Sequence, residues 1–212
     1  MTRVAVFSDS HRDQFSLGRL LDQMGEIDAA CFLGDVASDA AYLRLRLAEL
    51  PGRPPLYAVR GNNDIASALP DELLCEIGGK RLYLTHGHLC ASLYSLVMKA
   101  KERGVDAALF GHTHEAMNEY ADGVLLLNPG AAGDRMHGRG GAARASLLVI
   151  DGDSMIVRNF VQCRGFPEKQ KSVRENARNR LTEAGKSCII YFRQRERRSA
   201  REEEPCAFSS VG

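Results

Sequence analysis

The chain has 212 residues, of which 44% are hydrophobic and 26% are charged, and this composition predicts one ordinary globular domain. No apolar run approaches the ~20 residues that a membrane helix needs, and the N-terminus MTRVAVFSD turns acidic too early for a signal peptide, so we expect a cytoplasmic protein with no membrane partner. Residues 1–167 carry 17 basic and 20 acidic side chains, a balance that argues against nucleic acid as a partner.

The first third of the chain alternates between strand and helix patterns. Short apolar runs at 3–9, 29–35 and 55–64 each end in polar residues, as buried strands do. Between these runs lie two helical patterns, at 14–24 and 39–50, in which apolar residues recur with the spacing i, i+3, i+4. The order β-α-β-α-β predicts a buried parallel sheet.

The pattern changes after residue 70. Two strand-like stretches flank Gly78-Gly79 and predict a hairpin, and residues 91–103 have the periodicity of a helix. A buried strand then runs into the polar loop that contains GHTH. Turn residues separate the remaining strand patterns, which lie at 115–120, 124–128, 145–150 and 155–161.

We place a domain boundary at residue 166. Residues 1–166 form the predicted domain, and residues 167–212 form a charged C-terminal tail that we expect to be helical in part or disordered. Residues 168–212 contain 11 Lys and Arg and 7 Glu, but only one short apolar patch, which is too little to build a core of their own.

The six cysteines are scattered and form no CxxC pair. In a chain without a secretory signal we therefore expect free thiols, most of them buried, rather than disulfides or a zinc finger.

Polar residues follow the predicted strands at the points where each strand ends. Each short motif alone is commonly a turn or a buried structural side chain. Ligands of α/β proteins, however, gather at the carboxyl ends of the strands, so five such motifs at five strand ends predict one metal centre. Two histidines two residues apart face the same way in an extended chain and would reach one ion or two neighbouring ions. The residues concerned are Asp9, His11, Asp35, Asn62, Asn63, Asp64, His86, His88, His112 and His114.

These motifs resemble those of the calcineurin-like metallophosphoesterase superfamily. The matching segments are Asp9-x-His11, Gly34-Asp35, Gly61-Asn62-x-Asp64, His86-Gly87-His88 and Gly111-His112-Thr113-His114, and they lie within residues 3–163. The segments THGH and LNPGA are most similar to its branch of small YfcE-type phosphodiesterases, which also contains the retromer scaffold Vps29. The resemblance implies an α/β fold, a four-layered αββα sandwich.

The resemblance also implies two divalent metal ions, which we expect to be Mn²⁺, with Ni²⁺, Zn²⁺ and Fe²⁺ as alternatives. Mixed carboxylate, imidazole and amide donors suit these ions, and the absence of cysteine from the set argues against a closed structural zinc site. Asp64 is expected to orient a ligand by hydrogen bonding to a histidine. Carried over by motif position, one ion would be held by Asp9, His11 and His114 and the other by Asn62, His86 and His112, with Asp35 as the bridge.

One position departs from the family pattern. Many members have a histidine that contacts the substrate and can protonate the leaving group, and Asn63 stands at that position here. An amide delivers no proton, although it can donate a hydrogen bond to a phosphoryl oxygen. His88 is the candidate for the missing acid, and the alternative for His88 is a structural role. Arg135 or Arg139 in the glycine-rich segment 128–141 could pair with a phosphate or belong to an ordinary loop.

The family implies a phosphodiesterase that hydrolyses a small phosphodiester substrate, with a dimetal-bound hydroxide as the nucleophile. The alternatives are a phosphomonoesterase, and a Vps29-like scaffold or binding module whose metal site is vestigial. All seven ligand positions hold a residue that can bind a metal, which favours the enzyme. The sequence leaves open whether the protein forms a homo-oligomer.

Overall fold

The structure, a computed structural model, describes residues 1–133 and 142–162, which form two five-stranded sheets and three helices. The first sheet contains β1 (Thr2–Phe7), β2 (Ala29–Phe32), β3 (Leu56–Ala58), β9 (Ala143–Asp151) and β10 (Ser154–Gln162). The second contains β4 (Glu72–Ile77), β5 (Lys80–Thr85), β6 (Ala107–Leu109), β7 (Met117–Ala121) and β8 (Val124–Asn128). The helices are α1 (Gln14–Met24), α2 (Ala37–Glu49) and α3 (Leu93–Glu102).

Each sheet has a parallel centre with antiparallel strands added to it. The first sheet has the order β10-β9-β1-β2-β3, and β1 to β3 pair in parallel as the β-α-β-α-β pattern predicts. The second has the order β4-β5-β6-β8-β7, with parallel pairs at β5–β6 and β6–β8. The predicted hairpin of β4 and β5 is confirmed, and Gly78 and Gly79 form its turn with the positive φ angles that glycine permits.

The two sheets pack face to face between helical layers. Buried side chains from both sheets, such as Val6 of the first and Leu84 and Leu109 of the second, form one shared core cluster. A second cluster joins the outer face of the first sheet to α1 and α2 through Leu17 and Leu43. The helix α3 covers the second sheet in a third cluster. The predicted four-layered αββα sandwich is therefore confirmed.

The third strand is shorter than the sequence pattern suggests. The apolar-to-polar run 55–64 predicts one long strand, but β3 ends at Ala58. Val59 still donates to the carbonyl of Phe32 at 3.0 Å, and the chain then leaves the sheet because Arg60 pairs with Pro70 at 2.9 Å instead. The residues from Gly61 onward are thereby released to form a loop at the carboxyl edge of the sheet.

Several predictions fall partly outside the described residues. These predictions concern the tail 167–212, the segment with Arg135 and Arg139, and three of the cysteines. All of these residues lie outside the described part of the chain, so what the sequence predicts for them stays a prediction. The remaining cysteines, Cys31, Cys75 and Cys90, are free thiols, as expected. Within residues 1–133 and 142–162, no helix is both long enough and apolar enough to cross a membrane.

A charged cluster joins β4 to α3 and provides a test of the fold. Glu72 accepts hydrogen bonds from Lys99 at 3.1 Å and Arg103 at 2.7 Å. Burial opposes the charge of Glu72, but contacts with Tyr83, Lys99 and Arg103 outweigh it and hold the pKa of this carboxyl below its usual value. The stabilisation is therefore present at neutral pH and is lost as the pH falls through the lowered pKa.

We expect Glu72→Gln to lower the free energy of unfolding by about 1 kcal/mol at pH 7, because these charges are only partly exposed. At a pH below 4.5, the ordinary pKa of a glutamate, the difference from the unmodified protein should shrink, and it should vanish once the pH has fallen through the lowered pKa of Glu72. Urea unfolding at both pH values measures this. Glu76→Gln on the exposed face of the same strand is the control, and an equal loss in both variants would contradict the role of the cluster.

Candidate metal centre

Loops that follow five strands meet at one edge of the two sheets. This is the edge toward which the carboxyl ends of the parallel strands point, so side chains far apart in the chain become neighbours there. The structure brings together the seven predicted metal ligands and, beside them, the two predicted catalytic residues. They are Asp9 and His11 after β1, Asp35 after β2, Asn62 and Asn63 after β3, His86 and His88 after β5, and His112 and His114 after β6.

The first group of donors consists of Asp9, His11 and His114. Their ligand atoms all lie within 4.8 Å of one another. The Nε2 atoms of His11 and His114 are 3.1 Å apart, and Nε2 of His114 is 3.2 Å from Oδ1 of Asp9. Two ring nitrogens at this separation either share a proton or meet at one cation. This is the set that the family motifs assign to the first ion.

The second group consists of Asp9, Asp35 and His86, again with ligand atoms within 4.8 Å. Oδ1 of Asn62 lies 3.0 Å from Nε2 of His86 and extends this group. Asp9 belongs to both groups, whereas the family motifs assign the bridging role to Asp35. The bridging role of Asp35 stays a prediction.

The ring of His86 is held in one orientation. Its Nδ1 is 2.8 Å from the carbonyl oxygen of Leu33, and because a carbonyl only accepts, Nδ1 carries the proton. Nε2 of the neutral ring therefore presents a lone pair. It faces Oδ1 of Asn62, Oδ1 of Asp35 at 3.7 Å and Oδ1 of Asp9 at 3.9 Å. A histidine oriented through its other nitrogen in this way is typical of metal ligands.

His112 lies beside the second group. Its ring centroid is 5.2 Å from that of His86, and its backbone N–H donates to Oδ2 of Asp9 at 3.0 Å. The chain from His112 to His114 is not extended, because both residues have positive φ angles of 70° and 61°. The left-handed turn directs His114 to the first group and leaves His112 beside the second.

Left-handed backbone is a shared feature of the donors. Asp9, His11, Asp35, His112 and His114 all have φ between 47° and 70°, a conformation that non-glycine residues seldom adopt. Each such residue costs free energy that the surrounding contacts must offset, and such strain is concentrated at functional sites.

Two motif glycines make room for the carboxylates. A Cβ at Gly61 would overlap the carboxylate of Asp35, and a Cβ at Gly111 would overlap the side chains of Ser8 and Asp9. The glycines that precede Asn62 and His112 are therefore required by close approach of the chain.

Asp64 has a different role from the predicted one. The sequence predicts a hydrogen bond to a histidine, but the carboxylate accepts from three backbone N–H groups, those of Asp35 (3.1 Å), Ala37 (2.6 Å) and Gly61 (2.8 Å). Asp64 thus ties the loop after β3 to the loop after β2. The predicted bond to a histidine is wrong because both carboxylate oxygens are taken by these backbone N–H groups, but Asp64 still supports the predicted ligand Asp35.

Two further supporting residues are not predicted by the sequence. Asp39 in the first turn of α2 is fully buried and accepts from Ser10 Oγ at 2.7 Å, the backbone N–H of Arg12 at 2.9 Å and Gln14 Nε2 at 3.0 Å. It therefore holds the turn that carries His11. Its only sequence signal is an aspartate at a helix start, which is common and carries no functional information.

Asn128 holds the other histidine loop. Its Nδ2 donates to the carbonyl of Gly111 at 2.9 Å and to Oγ1 of Thr113 at 3.1 Å, and its Oδ1 accepts from the N–H of Gly130 at 2.9 Å. The LNPGA segment thus lies close to the site, as the resemblance implies, and it acts by fixing the backbone between His112 and His114.

The two predicted catalytic residues lie at the rim of the second group. Asn63 donates its backbone N–H to Oδ1 of Asp35 at 3.0 Å and its Nδ2 to Oδ2 at 2.6 Å, so its amide orients that carboxylate. His88 is half-buried 5.3 Å from the ring of His86, and its Nδ1 is buried without a hydrogen-bond partner among the described residues. Their contacts with substrate stay predictions.

The pKa values of the ionisable side chains around Asp9 shift in opposite directions. Burial works against its charge, but His114, His86 and Ser8 outweigh burial and hold the pKa of Asp9 below its usual value. Asp9 in turn raises the pKa of His114 against the effect of burial. Burial lowers the pKa of His11, and burial together with His86 and His112 lowers that of His88. The lowered pKa values favour a charged Asp9 and neutral rings of His11 and His88, whereas the raised pKa of His114 favours a protonated ring, whose proton a bound metal ion would displace.

The residues fit a bound cation. Oδ1 of Asp9 is fully buried yet accepts no hydrogen bond from any described residue, and its contact with His114 has the geometry of an ion pair. A buried carboxylate oxygen without a partner is costly. The lone pairs of His86, Asn62 and Asp35 converge on the same region, so a divalent ion would satisfy donors that the protein leaves facing one another.

We expect Asp9→Asn to weaken Mn²⁺ binding by about 100-fold or more, because it removes the only charge shared by both groups. Mn²⁺ at 100 times its dissociation constant stabilises a folded protein by about 2.7 kcal/mol, and the variant should lose most of that gain. Calorimetric titration and unfolding with and without Mn²⁺ measure both effects. Asp13→Asn is the control, because asparagine also caps α1, and equal Mn²⁺ binding by the two variants would contradict the assignment.

Comparison with known proteins agrees with this geometry. The probable metallophosphoesterase YsnB of Bacillus subtilis (strain 168) is 30% identical over 163 residues, which cover 75% of this chain and 90% of the relative. Vacuolar protein sorting-associated protein 29 of Schizosaccharomyces pombe is 31% identical over 140 residues, 65% of this chain and 68% of its own. Phosphodiesterase MJ0936 of Methanocaldococcus jannaschii is 37% identical over 62 residues, 29% of this chain and 36% of its own.

The fold has solved counterparts as well. A conserved uncharacterized protein of Streptococcus pneumoniae TIGR4, described as a predicted phosphoesterase, superposes with a TM-score of 0.60 at 26% identity, covering 79% of this chain and 94% of that one. Residues 2–153 match the family model of the calcineurin-like phosphoesterase superfamily domain. This chain therefore belongs to the calcineurin-like phosphoesterase superfamily.

Proposed function

We propose that the protein is a metal-dependent phosphodiesterase that uses two divalent ions, with Mn²⁺ as the expected metal and a small diester as the substrate. The observation that carries the proposal is the pair of donor groups that share the buried carboxylate of Asp9, whose Oδ1 accepts no hydrogen bond from the described residues. Asp9, His11 and His114 would hold one ion. Asn62, His86 and His112 would hold the other, and Asp35 would be shared by both. Membership of the superfamily supports hydrolysis of a phosphoric ester, and a phosphodiesterase among the relatives supports a diester.

The donor set fits the proposed metals. Carboxylate oxygens, imidazole nitrogens and one amide oxygen suit Mn²⁺, with Ni²⁺, Zn²⁺ and Fe²⁺ as alternatives. When bound, the ions supply the Lewis acidity that activates a water molecule and neutralises the phosphoryl oxygens. The same donors bind Ni²⁺ and Zn²⁺ more tightly than Mn²⁺, so occupancy by Mn²⁺ would depend on the supply of each metal in the cell.

The protein's own contribution is to hold the donors in place. Asn63 orients both oxygens of Asp35, Leu33 fixes the ring of His86, and Asp39 holds the turn that carries His11. These bonds exist before any substrate arrives. The site therefore needs little reorganisation during the reaction, which is the main way in which fixed polar groups lower a barrier.

His88 is the proposed source of the proton for the leaving group. It lies beside the second group, with its ring centroid 5.3 Å from that of His86, so it is close to where an ester would bind at the centre. Asn63 cannot serve as the acid, because an amide has no proton to give up at neutral pH and its N–H is bonded to Asp35.

The proposal predicts Mn²⁺-dependent hydrolysis of bis(p-nitrophenyl) phosphate that is faster than hydrolysis of p-nitrophenyl phosphate and stops when a chelator removes the metal. Asp35→Ala should lower kcat/KM for the diester by about 100-fold or more, because it removes a donor of the second ion. The surface variant Asp22→Ala is the control and should retain full activity.

Three other results would each change the assignment. Faster turnover of the monoester would indicate a phosphomonoesterase. Turnover that survives in Asp35→Ala would show that the centre is not responsible. No turnover under Mn²⁺, Ni²⁺, Zn²⁺ or Fe²⁺ would favour the scaffold alternative, to which the relative Vps29 points.

Substrates whose leaving groups differ in basicity can test whether His88 acts as the general acid. If His88 protonates the departing oxygen, His88→Gln should slow the hydrolysis of diphenyl phosphate about tenfold more than that of bis(p-nitrophenyl) phosphate. Phenolate is more basic than p-nitrophenolate and therefore depends more on protonation as it leaves. The two kcat values in the same variant give the comparison, with Mn²⁺ binding measured to confirm that the centre remains loaded. Equal slowing of both diesters would assign His88 a structural role instead.

A further inference from the structure

An apolar cleft adjoins the metal centre. It has a volume of about 280 Å³, and its wall on the side of the centre is formed by Gly87, Gly111, His112 and Thr113. These residues belong to the same two loops that carry His86 and His114. We propose that this cleft binds one uncharged, apolar ester arm of the diester, an aromatic ring or a short alkyl chain, while the phosphate lies at the centre; the proposal rests on the proposed function.

The lining of the cleft is mostly apolar. Its far wall is built from Leu93, Leu96, Phe110 and Met117. Apolar surface of this kind favours an arm that gains by leaving water, at roughly 25 cal/mol for each Å² removed. A sugar or a phosphorylated arm would instead lose its hydration and find few replacement hydrogen bonds, because polar side chains such as Ser92 and Thr113 are a minority of the described lining.

Charge also selects against anionic arms. Among the described lining residues, the only charged side chain is that of Glu115, and no lysine or arginine is present. A carboxylate repels a second phosphate, and nothing in the described lining neutralises one. The cleft therefore discriminates against polyphosphate and nucleotide diphosphate arms.

The size of the cleft limits the arm. Sites that enclose a whole drug-sized ligand have volumes of ~300–1,000 Å³, so this cleft suits one ring with small substituents. The α3 helix leaves its first residue available to such a group, because Leu93 is 41% exposed whereas Leu96, one turn later, is 2% exposed. The open leucine thus extends the apolar wall to the mouth of the cleft.

Ala116 offers a way to close the cleft. It lines the cleft and is exposed, so a larger side chain there would fill the cleft without displacing the buried core. Leu93→Ala is the second variant, because it removes part of the wall at an exposed helix start. Ala48→Phe makes the same change as Ala116→Phe at an exposed position of α2 away from the cleft and is the matched control.

The test compares phenylphosphonate with methylphosphonate as ligands of the full-length Mn²⁺-loaded protein, by calorimetric titration. Both carry the same anionic group, so their affinity ratio reports on the cleft alone and is independent of hydrolysis. We expect the unmodified protein to bind the phenyl compound about tenfold more tightly or better. Ala116→Phe should reduce the ratio to near one, Leu93→Ala should reduce it severalfold, and Ala48→Phe should leave it unchanged.

Each outcome separates the cleft from the reaction. Equal affinities in the unmodified protein, or a ratio unchanged in both cleft variants, would overturn the proposal even if diester hydrolysis is observed. A phenyl preference that the cleft variants remove, in a protein that hydrolyses no diester, would support the cleft as an apolar site beside an anion site and would overturn the proposed function alone. If the protein hydrolyses diesters and the cleft binds the apolar arm, kcat/KM for p-nitrophenyl phenyl phosphate should exceed kcat/KM for p-nitrophenyl methyl phosphate by a similar factor.

Discussion

The buried carboxylate of Asp9 is the group on which the rest of the site depends. One of its oxygens is satisfied by Ser8 and by the backbone N–H of His112, while the other has no hydrogen bond from the described residues and faces two histidines. A carboxylate in this position is expensive to bury, so the fold tolerates it only where positive charge is available. The loops after β1, β5 and β6 are arranged to bring that charge, or a cation, to it.

Several buried polar groups support this arrangement from behind. Asp39, Asp64 and Asn128 each satisfy the backbone or side chains of a loop that carries donors, and all three are buried. Their hydrogen bonds offset the strain of the left-handed residues at the site. Because each of them contacts a different loop, the donors are held by a network rather than by any single interaction, and such networks are effective only when fully satisfied.

The same loops connect the metal centre to the cleft beside it. His112 contributes its backbone N–H to Asp9, its ring to the neighbourhood of His86 and its surface to the cleft wall. Under the proposed function, the chemistry and the selection of the ester arm would be coupled through one short segment, which Asn128 fixes. The arrangement follows a general rule for α/β proteins, in which a rigid sheet edge positions loops that differ in their side chains and therefore in their substrates.

The order of strands and helices, the hairpin and the residues at the strand ends are predictable from the sequence, because periodicity and turn chemistry are local properties of the chain. The ordered motifs also predict the candidate donors, and the structure brings these residues to one edge of the sheets. Three other features are visible only in the folded protein: β3 ends at Ala58, Asp64 binds backbone N–H groups, and Asp9 is common to both donor groups. These features depend on contacts between loops that are tens of residues apart, and no local pattern records which loops will meet or how closely they approach.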